Sequence, residues 1–74
     1  MDRPLRTPTL LGIAIRTLRL ERGLTQQELA ERSGTSRRWI IDLEAGKGDN
    51  ARLGMVLAVF DTLDTTLRAT TRSQ

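Results

Sequence analysis

The sequence predicts a small all-α domain of four short helices with a short C-terminal β-strand that pairs across a homodimer. Three observations predict it. The chain has 74 residues, enough for one domain and no more. Its apolar residues recur at helical spacing in four blocks, each opened by a capping residue, and the first three are closed by a glycine. After Leu63 the spacing changes to strict alternation, with Thr65, Leu67 and Ala69 opposite Thr66, Arg68 and Thr70. A core of this size supplies only about 3–5 kcal/mol, so the fold is expected to be helix-rich and idealised or completed by a second copy of the chain, which favours a dimer.

Each element has a start and a stop. Thr7 caps the first helix and Pro8 takes its first position, with Leu11, Ile15 and Leu18 on one face up to about Arg22, where Gly23 is a left-handed stop. Thr25 and Glu28 form a capping box for the second helix, and Leu24 and Leu29 its hydrophobic staple. That helix runs to Ser33, and Gly34 turns the chain. Ser36 caps a third helix from Arg37 to about Ala45, ended by Gly46. On it Ile40 and Leu43 face inward, Arg38, Ile41, Asp42 and Ala45 face outward, and Arg37 and Trp39 lie on the flanks. Asp49 or Asn50 is expected to cap the fourth, whose Leu53, Val56, Leu57, Phe60 and Leu63 make an apolar stripe. Met55 and Val59 fall off that stripe with no evident partner in the chain. They join Thr65, Leu67 and Ala69 as the expected dimer interface, because a lone strand needs a partner.

Composition removes most other functions. The chain has no Cys, His or Tyr, so disulfides, cysteine zinc sites and the usual general base are absent, and no cofactor is expected. So short a chain scarcely encloses a water-excluding pocket, and catalysis is not expected. No apolar run exceeds six residues, against about 20 for a membrane span. A signal peptide is not expected either, and a cytoplasmic location is. Twelve Lys+Arg against nine Asp+Glu give +3. Residues 1–22 carry five Arg and two acids, residues 23–46 three Arg and four acids, residues 47–74 four bases and three acids, hence +3, −1 and +1.

The second and third helices, joined through a glycine turn, make a helix-turn-helix. Leu24-Thr25-Gln26-Gln27-Glu28-Leu29-Ala30, Gly34-Thr35-Ser36-Arg37-Arg38, Ile40, Leu43-Glu44 and Gly46-Lys47 together resemble the Xre-type, phage-repressor-like helix-turn-helix family over residues 9 to about 63. The resemblance implies double-stranded DNA as partner, with the third helix in the major groove. The helix 4 and strand region, Gly-Asp-Asn-x-x-Leu then Leu-x-x-x-Leu, is similar to Hip-type (HipB-like) antitoxins of toxin-antitoxin systems. That likeness implies a homodimer on an inverted-repeat operator, repression of its own operon and a HipA-like serine/threonine kinase toxin as partner. A stand-alone Xre-type regulator and a protein-only interaction module remain the alternatives.

On this reading residues 1–6 are a flexible basic arm, 7–63 the DNA-binding domain, 64–70 the dimerisation strand and 71–74 a tail. Arg38 is the first choice to read a base, since a forked guanidinium matches guanine O6 and N7. Asp42, one turn on, either fixes the Arg38 rotamer, accepts from cytosine N4, or forms an ordinary surface pair. Arg37 reads a base or holds a phosphate, and Ile41 meets a thymine methyl. Trp39 packs on helix 2 or on the sugar-phosphate backbone, packing being preferred. Gln26 matches the family's phosphate-contacting glutamine, with Gln27, Thr35, Ser36 and Lys47 as further phosphate donors. Arg3 and Arg6 either track DNA or stay off it. Arg19 and Glu44 correspond to a family ion pair of structural role, tying the first helix to the end of the third.

Overall fold

Thr7 starts the first helix: its hydroxyl oxygen accepts from the Leu10 N–H at 3.1 Å, and Pro8 takes the opening turn. The computed structural model describes residues 4–69 and 71. Within them lie α1 (Pro8–Glu21), α2 (Gln26–Ser33), α3 (Arg37–Glu44) and α4 (Leu53–Thr62). Arg3, Thr70 and most of the expected tail lie outside the described residues.

The capping box of α2 closes both ways. Thr25 Oγ1 accepts from the Glu28 N–H at 3.0 Å, and Glu28 Oε1 accepts from the Thr25 N–H at 2.9 Å. The backbone hydrogen bond from Thr25, then the Thr25 side chain and nearby Arg32, hold the Glu28 carboxyl below the ordinary carboxylate range. A depressed pKa favours the fold above the unfolded value, and that contribution is lost as pH falls through the folded one.

Helix ends repeat one device, a left-handed residue that lets the chain bond back to the last turn. After α1 the N–H groups of Gly23 and Leu24 donate to Leu20 and Arg19 at 3.0 and 3.1 Å. After α3 those of Gly46 and Lys47 donate to Leu43 and Asp42 at 3.2 and 2.9 Å. After α4 the same geometry is imposed on an aspartate: Asp64 has φ 53°, and Thr65 donates to Phe60 at 2.9 Å. Asp64 therefore belongs to the end of α4 and not to a strand.

Ile15, Leu29, Ile40, Leu43, Val59 and Leu63 are the largest fully buried side chains, with Phe60 beside them and Leu11, Leu18 and Trp39 packed at the margin. α3 packs on α1 and α2, and α2 on α4. The closest approach is at Gly12, where an added Cβ would lie 2.8 Å from the Glu44 carbonyl oxygen and nearer still to that of Leu43. α1 thus rests directly on the last carbonyls of α3.

Two expectations are corrected. α4 is not capped by Asp49 or Asn50: the chain is still turning there, with the Ala51 N–H bonded to Gly48, and the cap position is Arg52 without a side-chain hydrogen bond. The inward stripe of α4 is Val56, Val59, Phe60 and Leu63, so Val59 has its partners within the chain, while Leu53 and Leu57 are 68% and 45% exposed and Met55 is half-buried. Almost every position from Leu53 to Phe60 is apolar, so two helical stripes fit equally well and spacing alone does not choose between them. In the single chain the expected strand is not seen among the described residues, where 65–69 are irregular and largely exposed. No helix among them is long and apolar enough to cross a membrane.

Gly12→Ala should lower stability, because overpacking against fixed carbonyls costs about 1–3 kcal/mol and exceeds the helix-propensity gain of about 1 kcal/mol. Gly54, where an added methyl meets nothing, is the control: Gly54→Ala should raise the midpoint of a urea melt. Equal gains at both positions would show that α1 and α3 do not need that glycine.

Candidate nucleic-acid interface

α2, the Gly34 turn and α3 make the helix-turn-helix, and the third of these carries its charge in an unusual place. Arg37 and Arg38 open α3, with no acidic residue in its first turn. The N-terminus of a helix carries a partial positive charge, so two cations there cost the isolated helix a few tenths of a kcal/mol each. Both are exposed, Arg38 with 77% of its side chain in solvent. A local choice that works against its own helix marks a functional surface, here one suited to an external anion.

The remaining outward residues fall as follows. Asp42 Oδ1 lies 3.4 Å from Arg38 Nε, so the two are paired across one turn. Ile41 and Asp42 are half-buried, whereas Ala45 is exposed. Ser36 Oγ accepts the Trp39 N–H at 3.0 Å, which leaves its own O–H free to donate. Thr35 and Ser33 share a hydroxyl contact of 3.1 Å in the turn. Lys47 and Gln27 are exposed. Trp39 packs against the core and lines a cleft of about 180 Å³ with Asp42, Leu43, Lys47, Gly48, Asn50 and Ala51. The rest of the lining comes from α3 itself and from the α3–α4 connection. Arg6 is exposed in an irregular segment.

Behind this surface sits a buried ion pair. Arg19 is 7% exposed. Its Nε and Nη2 donate to Glu44 Oε2 and Oε1 at 2.7 and 3.0 Å, and its Nη1 donates to the Leu24 carbonyl at 2.8 Å. The same Leu24 donates its N–H to the Arg19 carbonyl at 3.1 Å. Gln26 Nε2 completes the cluster, donating to Glu44 Oε1 at 3.2 Å. The expected ion pair is therefore present, and it reaches Gln26, which local spacing did not reveal. Eighteen residues separate Gln26 from Glu44, and helical periodicity carries no information over that distance. Gly12 was likewise missed, since its role exists only once α1 and α3 meet.

Comparison with known proteins places these features in a family. A family model described as a helix-turn-helix domain matches residues 10–73. An uncharacterised HTH-type transcriptional regulator of Sinorhizobium fredii, y4mF, is 44% identical over 63 residues, 85% of this chain and 82% of its own. Among solved structures, a HipB variant in an O2 20mer complex superposes with a TM-score of 0.87 at 25% identity, over 99% of this chain and 100% of its own. The chain is also similar to one in a HipA-HipB-O2-O3 complex, with a TM-score of 0.85 at 25% identity over 97% of this chain and 100% of that one.

Burial separates the two ion pairs. Removing one partner of the buried pair, by Glu44→Ala, should cost about 3–5 kcal/mol, whereas Asp42→Ala in the exposed pair should cost under about 1 kcal/mol. Urea unfolding of both variants measures the difference; similar midpoints would mean that solvent screens Arg19 as it does Arg38.

Proposed function

Because the chain belongs to the Xre-type helix-turn-helix family and is a DNA-binding transcriptional regulator, we propose that it acts as a homodimeric repressor of HipB type. It binds an inverted-repeat operator, represses its own operon and serves there as the antitoxin of a HipA-like kinase. The observation that carries the DNA mode is the arginine pair at the start of α3, placed against its own helix dipole and left in solvent. Arg38, held by Asp42, reads a base; Arg37 and Ile41 flank it. Gln26, Gln27, Thr35, Ser36 and Lys47 hold phosphates and set the register.

α4 supports the dimer. A helix apolar on nearly every side is covered on every side in a stable protein. One face is the core, and the other, Leu53 and Leu57 one turn apart, is exposed in the single chain. A second copy covers that face, with Met55 at its edge, and the 65–69 segment, including Thr65, Leu67 and Ala69, pairs with its twin as a two-stranded ladder. Val59 has no part in it. The antitoxin role rests on likeness to HipB along nearly the whole of both chains. The 44%-identical relative, described only as a transcriptional regulator, favours the second reading, a stand-alone regulator. Co-purification with the product of a neighbouring kinase-like reading frame decides for the antitoxin, and a locus without such a frame decides for the regulator.

Gel-shift titration against the DNA upstream of its own gene tests the DNA mode. With about 6–10 phosphate contacts, affinity should fall about 10³–10⁵-fold between about 50 and 200 mM salt. Arg38→Ala should cost about 1–3 kcal/mol and relax preference at one base pair, while Lys47→Ala weakens all sequences alike. Identical profiles for the two variants across a mismatch series would contradict this division of roles.

The dimer is tested by sedimentation. The native chain should run at twice its monomer mass, and Leu57→Asp or Leu67→Asp should each shift it towards the monomer. A dimer that survives both changes places the interface elsewhere.

A further inference from the structure

Glu44 serves two donor side chains at once. Its Oε1 receives both Arg19 Nη2 and Gln26 Nε2, at 3.0 and 3.2 Å, and its Oε2 receives Arg19 Nε. The carboxylate is sealed in, with 4% of the side chain exposed, and it accepts only. Gln26 must therefore turn its NH₂ end inward, because the reverse flip would set the amide oxygen against a carboxylate. Arg19 in turn keeps Glu44 from swinging, since two of its nitrogens grip the two oxygens and a third is fastened to the Leu24 carbonyl. What remains of the Gln26 amide, one N–H and the oxygen, is available to a ligand at a set position on the first turn of α2. Its neighbour Gln27 is exposed and makes no side-chain hydrogen bond among the described residues.

We infer that Arg19 and Glu44 are positioning residues for DNA contact. Acting through the Gln26 amide, they fix the donor that α2 offers to a backbone phosphate oxygen before DNA arrives. A glutamine is among the side chains that lose most rotamer freedom when fixed, and here that freedom is already lost on folding. Gln26 then contributes to affinity as a pre-oriented donor, whereas Gln27 must still be ordered on binding. The inference rests on the DNA-binding reading above and adds to it: the same pair that fastens α1 to α3 also sets the direction of a contact.

The test begins with the free native protein. Side-chain ¹⁵N relaxation should give the Gln26 amide an order parameter near that of rigid backbone, about 0.85, and the Gln27 amide one below about 0.6. Equal mobility of the two overturns the inference, whatever the protein binds. The second step is a double-mutant cycle on a duplex of the DNA upstream of its own gene. Gln26→Ala should weaken binding about tenfold in the native background. In an Arg19→Met, Glu44→Leu background, where both charges are replaced by apolar groups so that neither is left unpaired, the same change should cost less than about threefold. An unchanged tenfold loss in that folded background would show that the pair does not position the amide. Should the double variant fail to fold, the order parameters of the native protein decide. Failure of the native protein to bind the duplex would overturn the DNA reading itself, whereas binding without coupling overturns only the positioning role.

Discussion

The guanidinium of Arg19 is where three helices are joined. It sits at the end of α1, bonds the backbone at the entry to α2 and grips the carboxylate at the end of α3. Burying two charges is costly, and the cost is met only where geometry is good and the remaining donors are satisfied. Both conditions hold here: the pair is bidentate, Leu24 takes the spare donor, and no buried side-chain nitrogen or oxygen among the described residues lacks a partner. Gly12 lets α1 lie on the carbonyls of Leu43 and Glu44 just beside it. Polar fastening and steric fit thus both act on the last residues of α3.

The consequence is a division of labour along α3. Its C-terminal end is held by Arg19, the Gly12 contact and the left-handed turn at Gly46. Its N-terminal end carries Arg37 and Arg38 into solvent, where they oppose the helix dipole. That opposition is worth a few tenths of a kcal/mol per charge, small beside the several kcal/mol at stake in the buried pair. The fold can therefore keep a helix whose leading turn works against its own stability. Net charge conceals this arrangement, because residues 23–46 sum to −1 while containing it.

Sequence reasoning reached whatever is local. Caps at Thr7, Thr25 and Ser36, the glycine stops and the inward pair Ile40 and Leu43 depend on neighbours within a few residues, and the structure has them where spacing puts them. It failed where two solutions were locally equivalent or where the cause lay far along the chain. The stripe of α4 was ambiguous because the helix is apolar nearly all round, and only packing against α2 makes Val59 a core residue and Leu57 a surface one. The start of α4 was misplaced because the Gly48–Ala51 turn outcompetes the capping tendency of Asp49 and Asn50. Gly12 and the Gln26–Glu44 bond belong to contacts between helices, which periodicity does not encode. The 65–69 alternation is a different case, since a ladder between two copies is not formed by one chain.

On the function proposed above, a chain with an arginine-led α3 and a half-covered α4 reads DNA in pairs. Stoichiometry with hydroxyl-radical footprinting, on the DNA upstream of its own gene, tests that claim most directly. Two chains per site should protect two patches on one face of the duplex, about 10–10.5 base pairs apart or a multiple of that. One chain per site with a single protected patch would contradict it.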